Sequence, residues 1–269
     1  MAKSGEVLAH LAADLVEALG DQLLSLALPG SWALGDFTPG RSDLDVLAVM
    51  ATDPTAATLA ALHEVHARLT TDFPEWGDGH VEVEYVSVEA IRAVVQGTDE
   101  SHPMISVGKG EPLHELEASR HSVLNWAAAL QADRPIAGAA PSTVLPAIDQ
   151  RLIHQVVLQH VRAWPRWVDD MQHTGGQAYT VLTLCRAAEA LATRRQVSKL
   201  AAAKVGRSRF PEWSTLIDWA QEWWYQGGSD SDVGRFEEVR RFVVDVSARS
   251  LKRYDLLPHS GRDAAQPTL

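Results

Sequence analysis

The sequence predicts an α+β protein: a strand-bearing N-terminal domain followed by an all-α helical bundle domain. Three observations carry this reading. Leu23 to Leu28 and Leu44 to Met50 are apolar runs of strand length, and His80 to Val88 alternates apolar and polar residues. Beyond Ile148 the periodic segments repeat every three to four residues, as helices do. Between the two patterns lies ADRPIAGAAPSTVLPAI, whose three prolines mark a connection between domains. The expected limits are 1–140 for the first domain, 141–258 for the second and 259–269 for a polar, disordered tail.

Taken in order, Val7, Leu8, Leu11, Leu15, Val16 and Leu19 recur at helical spacing, and Gly20 is placed to stop that helix. The first strand follows, then a Gly30-Ser31 turn and a short segment broken by Pro39 and Gly40, before the second strand. Asp53 and Pro54 fit the N-cap and first-turn positions of a helix ending near Thr71, with Leu59, Leu62, Val65 and Leu69 as its apolar stripe. A turn at Gly77 to Gly79 leads into the third strand, with Val81, Val83 and Tyr85 on one side and Glu82 and Glu84 on the other. Gly97 to Pro112 is rich in Gly, Pro and polar residues and is expected to be a long loop, and Glu117 to Gln131 a helix. In the second domain, helices are expected over Leu145 to Trp164, Ala178 to Arg194, Ser198 to Val205, Glu212 to Tyr225 and Gly234 to Tyr254.

Composition narrows the class. A net charge of −11, from 24 basic and 35 acidic residues, argues against a nucleic-acid binder, which needs clustered Lys and Arg, and fits a cationic small molecule better. The single cysteine, Cys185, lies within an apolar helical run, so no disulfide framework exists and a packing role is expected. No apolar run is long enough to span a membrane, and the N-terminus lacks a signal-peptide layout, so a cytoplasmic protein is expected, without membrane partners and monomeric. The eleven histidines show no tight metal spacing, and the tryptophans at 213, 219, 223 and 224 share one helix and suit a core.

The chemistry gathers around Ser42-Asp43-Leu44-Asp45. Residues two apart on a strand project the same way, so Asp43 and Asp45 aim two carboxylates at one point. A few carboxylates plus substrate phosphates suit magnesium, and amides at a glycine turn opening a helix suit an anion. Glu82 or Glu84 on the third strand can join the pair; the alternative is that both face water on an edge strand.

Gly30-Ser31, the SDxD motif eleven residues on, Val81-Glu82-Val83, and Val181-Leu182-Thr183-Leu184-Cys185-Arg186 followed by Ser198-Lys199 form a larger pattern. On these residues the chain resembles the nucleotidyltransferase superfamily, and within it the aminoglycoside adenylyltransferases that modify streptomycin and spectinomycin. The resemblance runs from about residue 20 to about residue 230. It implies a mixed-sheet nucleotidyltransferase domain, a helical domain that closes on ATP, and a site in the cleft between them. By the same resemblance Asp43 and Asp45 hold two Mg2+ ions, Gly30, Ser31 and Ser42 hold the triphosphate, and Arg186, Lys199 and Tyr225 bind the nucleotide. Glu82 takes the position of the catalytic base, with Glu84 as the fallback. Lys199 carries an independent hint, because a lysine in the first turn of a helix opposes the helix dipole unless an anion is near; a solvated lysine is the alternative.

The acceptor half departs from the pattern. Relatives acting on streptomycin carry acidic residues just before the VLTLxR helix, where this chain has Gly175-Gly176-Gln177. Trp167, Asp169 and Asp170, with Gln177, are the acceptor-side candidates, alongside Glu82 and Glu84. The loop aromatic of the family has no counterpart, His102, Met104 and Lys109 standing there instead. The expected activity is adenylyl transfer from ATP to an aminoglycoside or aminocyclitol hydroxyl, as in antibiotic resistance. The alternatives are nucleotidyl transfer to a protein or another metabolite, or a nucleotide-binding protein whose chemistry has lapsed.

Overall fold

A computed structural model describes residues 4–39, 41–76, 80–108 and 110–256, with side chains described as far as residue 252. Gly40, the expected turn at Gly77 to Gly79, Lys109 and the 259–269 tail lie outside the described residues. The chain divides into two compact units, Met1–Val156 and Val157–Leu269.

In the first unit, α1 (Ser4–Leu19) buries Val7, Leu8, Leu11, Leu15 and Leu19 and stops at Gly20, whose φ of +50° suits glycine. Strand β1 (Leu23–Ala27) and the short α2 (Gly30–Ala33) lead to β2 (Leu44–Met50). Helix α3 (Ala56–Asp72) is capped by Thr55 rather than Asp53: the Thr55 hydroxyl accepts the Thr58 amide, and the Thr58 hydroxyl accepts the Thr55 amide. Asp53 is engaged elsewhere, accepting hydrogen bonds from Ser87 and His102.

Strand β3 (Val81–Ser87) runs directly into α4 (Val88–Gln96), where Ser87 serves as N-cap, a helix to which the sequence reading assigns no element. The segment expected to be a loop up to Pro112 contains β4 (Pro103–Gly108) and the start of β5 (Glu111–Glu117). Glycine and proline there punctuate a hairpin: Met104 and Ile105 are fully buried on β4, and the turn lies around Gly108 and Gly110. Consequently the helix expected from Glu117 begins at Val123, as α5 (Val123–Ala132).

The proline-rich connection is likewise structured. Its Pro135–Gly138 forms β6, which pairs antiparallel with β1 as an edge strand, where a proline lacking its N–H is tolerated. Helix α6 (Pro141–Val144) and the long α7 (Gln150–Trp167) follow, and Leu145, Leu152 and Val156 pack against Trp126 in the core of the first unit.

The six strands are ordered β5-β4-β3-β2-β1-β6, with β2 and β3 parallel and the other neighbours antiparallel. The sheet is therefore mixed, and β3 is an interior strand. That removes the edge-strand alternative for Glu82 and Glu84. Alternation divides β2 between two cores: Leu44, Val46, Ala48 and Met50 join α1 and α3, while Leu47 and Val49 join Trp126 of α5. Burying each large side chain contributes about 1.5–3 kcal/mol, so both faces are fixed strongly, and with them the strand register.

In the second unit, α8 (Thr174–Thr193), α9 (Lys199–Arg209), α10 (Ser214–Tyr225) and α11 (Phe236–Leu256) follow the last turns of α7. Val181, Leu182, Leu184, Phe242 and Val243 form their core. Gly206 lets α9 approach α8 closely, since a Cβ there would lie 2.7 Å from Cys185 Sγ. Burial pushes that thiol up to about 12, which suits packing rather than reactivity. Among the described residues no helix is long and apolar enough to cross a membrane.

Candidate active site

The parallel register of β2 and β3 sets Asp45 opposite Glu82. Both carboxylates occupy the sheet face shared with Leu47, Glu84 and Val86, at the end where the two strands begin. Gly30 opens α2 with φ +65°, and a Cβ at that position would overlap the Asp45 carboxylate, with Cγ only 2.6 Å away. Glycine is thus required twice at one residue, by conformation and by the approach of Asp45. Ser31 follows on the same short helix and is part-buried. Ser42 closes the loop before β2, its hydroxyl accepting the Thr38 amide at 3.0 Å and its amide donating to the Thr38 carbonyl at 2.9 Å. Asp43 stands just before the strand and meets His80 Nδ1 at 3.0 Å.

A cavity of about 280 Å³ opens on this face, lined by Asp45, Glu82, Glu84, Ser106, Glu111 and Asn125, among others. The two glutamates of β3 differ in what surrounds them. Glu84 accepts hydrogen bonds from Ser122 Oγ at 3.0 Å, Asn125 Nδ2 at 3.1 Å and Trp126 Nε1 at 3.2 Å, all from α5 or the turn before it. Burial raises its pKa, those donors oppose the rise, and the charge of Asp45 adds to it. Glu84 therefore anchors α5 to the sheet, whereas Glu82 has the backbone of Gly108 beside it, where a Cβ would be 3.9 Å from its carboxylate. The sequence reading missed Ser106, Glu111 and Asn125. Glu111 was detectable from the glycines at 108 and 110 directly after the largely apolar run Met104 to Val107, which signal a hairpin turn.

The second unit holds the remaining expected residues. Lys199 is the first residue of α9, and Ser198 caps that helix by accepting the Ala201 amide at 3.1 Å. Its ammonium lies 3.9 Å from the centre of the Trp224 ring and 4.9 Å from that of Tyr179. Aromatic faces thus offset the unfavourable dipole at this helix start. Arg186 Nε donates to the Val197 carbonyl at 3.1 Å, tying α8 to the segment that leads to Lys199. Tyr225 ends α10, part-buried and next to Trp224.

The acceptor-side residues scatter. Trp167 stacks edge-on with Trp164 at 5.8 Å and with His160 at 5.6 Å. Asp169 pairs with Arg240 at 3.0 Å on an exposed surface, and Asp170 is exposed beside it. Gln177 is 2% exposed, donating to the Gln172 carbonyl at 2.7 Å and accepting the Arg235 amide at 2.6 Å. It is an internal brace with no surface to offer a ligand. Helix α8 begins at Thr174, four residues before the expected Ala178, because His173 caps it and Gly175 fits closely against Trp223 and Asp230.

This fold has a counterpart among solved structures. The spectinomycin adenyltransferase of Enterococcus faecialis, whose crystal structure contains ATP and spectinomycin, superposes with a TM-score of 0.71 over 93% of this chain and 100% of its own, at 16% identity. No curated protein matches the chain. Residues 143–249 match the aminoglycoside adenylyltransferase C-terminal domain. The α+β fold and that domain define a nucleotidyltransferase enzyme. Residues 143–249 are thus similar to the C-terminal domain of aminoglycoside adenylyltransferases.

Proposed function

We propose that this enzyme transfers AMP from ATP to a hydroxyl group of an aminoglycoside or aminocyclitol antibiotic, with magnesium, releasing pyrophosphate. The observation that carries the reading is the registered pair Asp45 and Glu82 on a cavity wall, with Gly30 in contact with Asp45.

The donor set fits magnesium. Among the described residues no three His, Cys, Asp or Glu side chains gather into a closed metal cage. Magnesium does not require one, because it binds through one or two carboxylates and completes its shell with water and substrate phosphates. Asp43 and Asp45 would hold it, and when bound it supplies positive charge to the phosphates of ATP. Amides and the hydroxyl at Gly30 and Ser31 bind triphosphate oxygens, while Ser42 keeps the loop before β2 in shape. In the second unit Lys199, Arg186 and Tyr225 contribute to nucleotide binding.

The transfer itself needs a base, since an alcohol is a weak nucleophile at neutral pH. Glu82 takes the proton as the acceptor oxygen bonds to the α-phosphorus; the bond from that phosphorus to the bridging oxygen breaks, and its electrons leave with pyrophosphate. Glu84 is the poorer candidate because its oxygens already accept three hydrogen bonds. Trp167, Asp169 and Asp170 remain candidates for contact with a cationic acceptor. A monomeric, cytoplasmic enzyme with a small cationic substrate is consistent with the negative net charge. The test is incubation with magnesium-ATP and a panel of streptomycin, spectinomycin and other aminoglycosides, followed by mass spectrometry. One adenylyl group gained by at least one drug is the expected result, and an unmodified panel refutes the reading.

A further inference from the structure

The cavity beside Glu82 has a second wall that the transfer chemistry does not use. Strand β4 pairs with β3 so that Val107 faces Val83, and Gly108 is the β4 residue matched to Glu111 of β5. Gly108 thus stands between the two glutamates, and its missing side chain keeps the space near the Glu82 carboxylate open. Glu111 lines the same cavity from an exposed position at the start of β5. In contrast to Glu84, its carboxylate makes no hydrogen bond or ion pair with another described residue. Asp45, Glu82, Glu84 and Glu111 put four carboxylates on the cavity, and no lysine or arginine lines it among the described residues. A polar cavity of one charge sign concentrates counter-ions of the other, and carboxylate-ammonium hydrogen bonds are about twice as strong as neutral ones.

We propose that Glu111 is a specificity-determining residue that binds a protonated amine of the acceptor while Glu82 engages the hydroxyl that reacts. The site then selects compounds carrying an ammonium group close to the reacting hydroxyl. This rests on the adenylyl-transfer reading above. Glutamine at 111 keeps shape and hydrogen bonding while removing the charge, and the exposed position tolerates it.

The experiment measures KM and kcat of the wild type and of Glu111→Gln with spectinomycin and with its derivative acylated on both amines, with Glu111→Asp as the charge-retaining control. The expected result is a KM for spectinomycin raised about tenfold in Glu111→Gln, little change in kcat or in KM for ATP, and partial recovery in Glu111→Asp. With the N-acylated acceptor, which carries no ammonium, wild type and Glu111→Gln should coincide. Equal KM values for spectinomycin, or a loss confined to kcat, overturn the proposal alone. A wild type that modifies no amine-bearing acceptor overturns the adenylyl-transfer reading and the proposal together.

Discussion

Asp45 and Glu82 are direct neighbours across the parallel strands β2 and β3, two acidic residues on one sheet face. Like charges so placed are unfavourable in a folded protein unless something positive is bound or a proton is shared. Leu44 and Val83, beside them in sequence, are fully buried and fix the register that sets the two carboxylates opposite each other.

Gly30→Ala tests the contact with Asp45. The new Cβ would overlap the carboxylate, and alanine resists a φ of +65°. Either α2 or Asp45 must shift, and a displacement near 1 Å at a positioned group costs about 100-fold in turnover. Steady-state kinetics should show that loss, with the far-ultraviolet circular dichroism unchanged.

Glu82→Gln and Glu84→Gln should separate chemistry from architecture. Removing the base should lower kcat about 100-fold or more while thermal stability stays near wild type. Glu84→Gln places an amide NH2 against the donors on Ser122, Asn125 or Trp126, and should lower unfolding free energy by about 2 kcal/mol. Paired denaturation and turnover measurements give the contrast, and full turnover in Glu82→Gln would exclude it as the base.

His66 is a source of acid sensitivity. Its Nε2 meets the buried Tyr85 hydroxyl at 2.7 Å, and burial, aided by His63, lowers its pKa to about 4. Because the unfolded value is near 6.5, the unfolded chain takes the proton first as pH falls. Stability tied to this site is thus intact above pH 6.5 and declines toward pH 4, by up to about 3 kcal/mol. Melting temperatures measured across that range should fall less steeply in His66→Gln.

The pair His102 and Asp53 acts in the opposite direction. A hydrogen bond from His102 Nδ1 at 2.8 Å, chiefly, raises the histidine pKa, with Glu100 adding to the effect. A raised folded value means the contribution is complete below about 6.5 and is lost as pH rises through the folded pKa. In Asp53→Asn, NMR titration should find the His102 midpoint moved down, and the alkaline part of the stability profile should flatten.

Much of the fold was legible because burial enforces periodicity: Val7 to Leu19, Leu44 to Met50 and the helices of the second unit follow it closely. Two of the errors share a source. Glycine and proline were read as breaks, yet Gly108 and Gly110 mark a hairpin and Pro135 sits on an edge strand. Asp53 looked like a cap because of its local neighbours, while its partners, Ser87 and His102, are distant in sequence. The site divides similarly. Alternation aimed Asp43 and Asp45 one way and put Glu82 and Glu84 on one side of β3, but Asp43 stands just before β2, the preference for Glu82 came from the family resemblance, and Glu111 needed the unrecognised hairpin. Gln177 could not be recognised as an internal brace, because its partners are main-chain groups at Gln172 and Arg235.

The central claim is that the carboxylates at the start of β2 and β3 drive acceptor-dependent adenylyl transfer. Pyrophosphate release from magnesium-ATP, with and without spectinomycin, in wild type, Asp45→Asn and Glu82→Gln, tests it most directly. Release is expected to require both acceptor and magnesium and to drop at least about 100-fold in each variant. Release at the wild-type rate in either variant, or release indifferent to the acceptor, would contradict it.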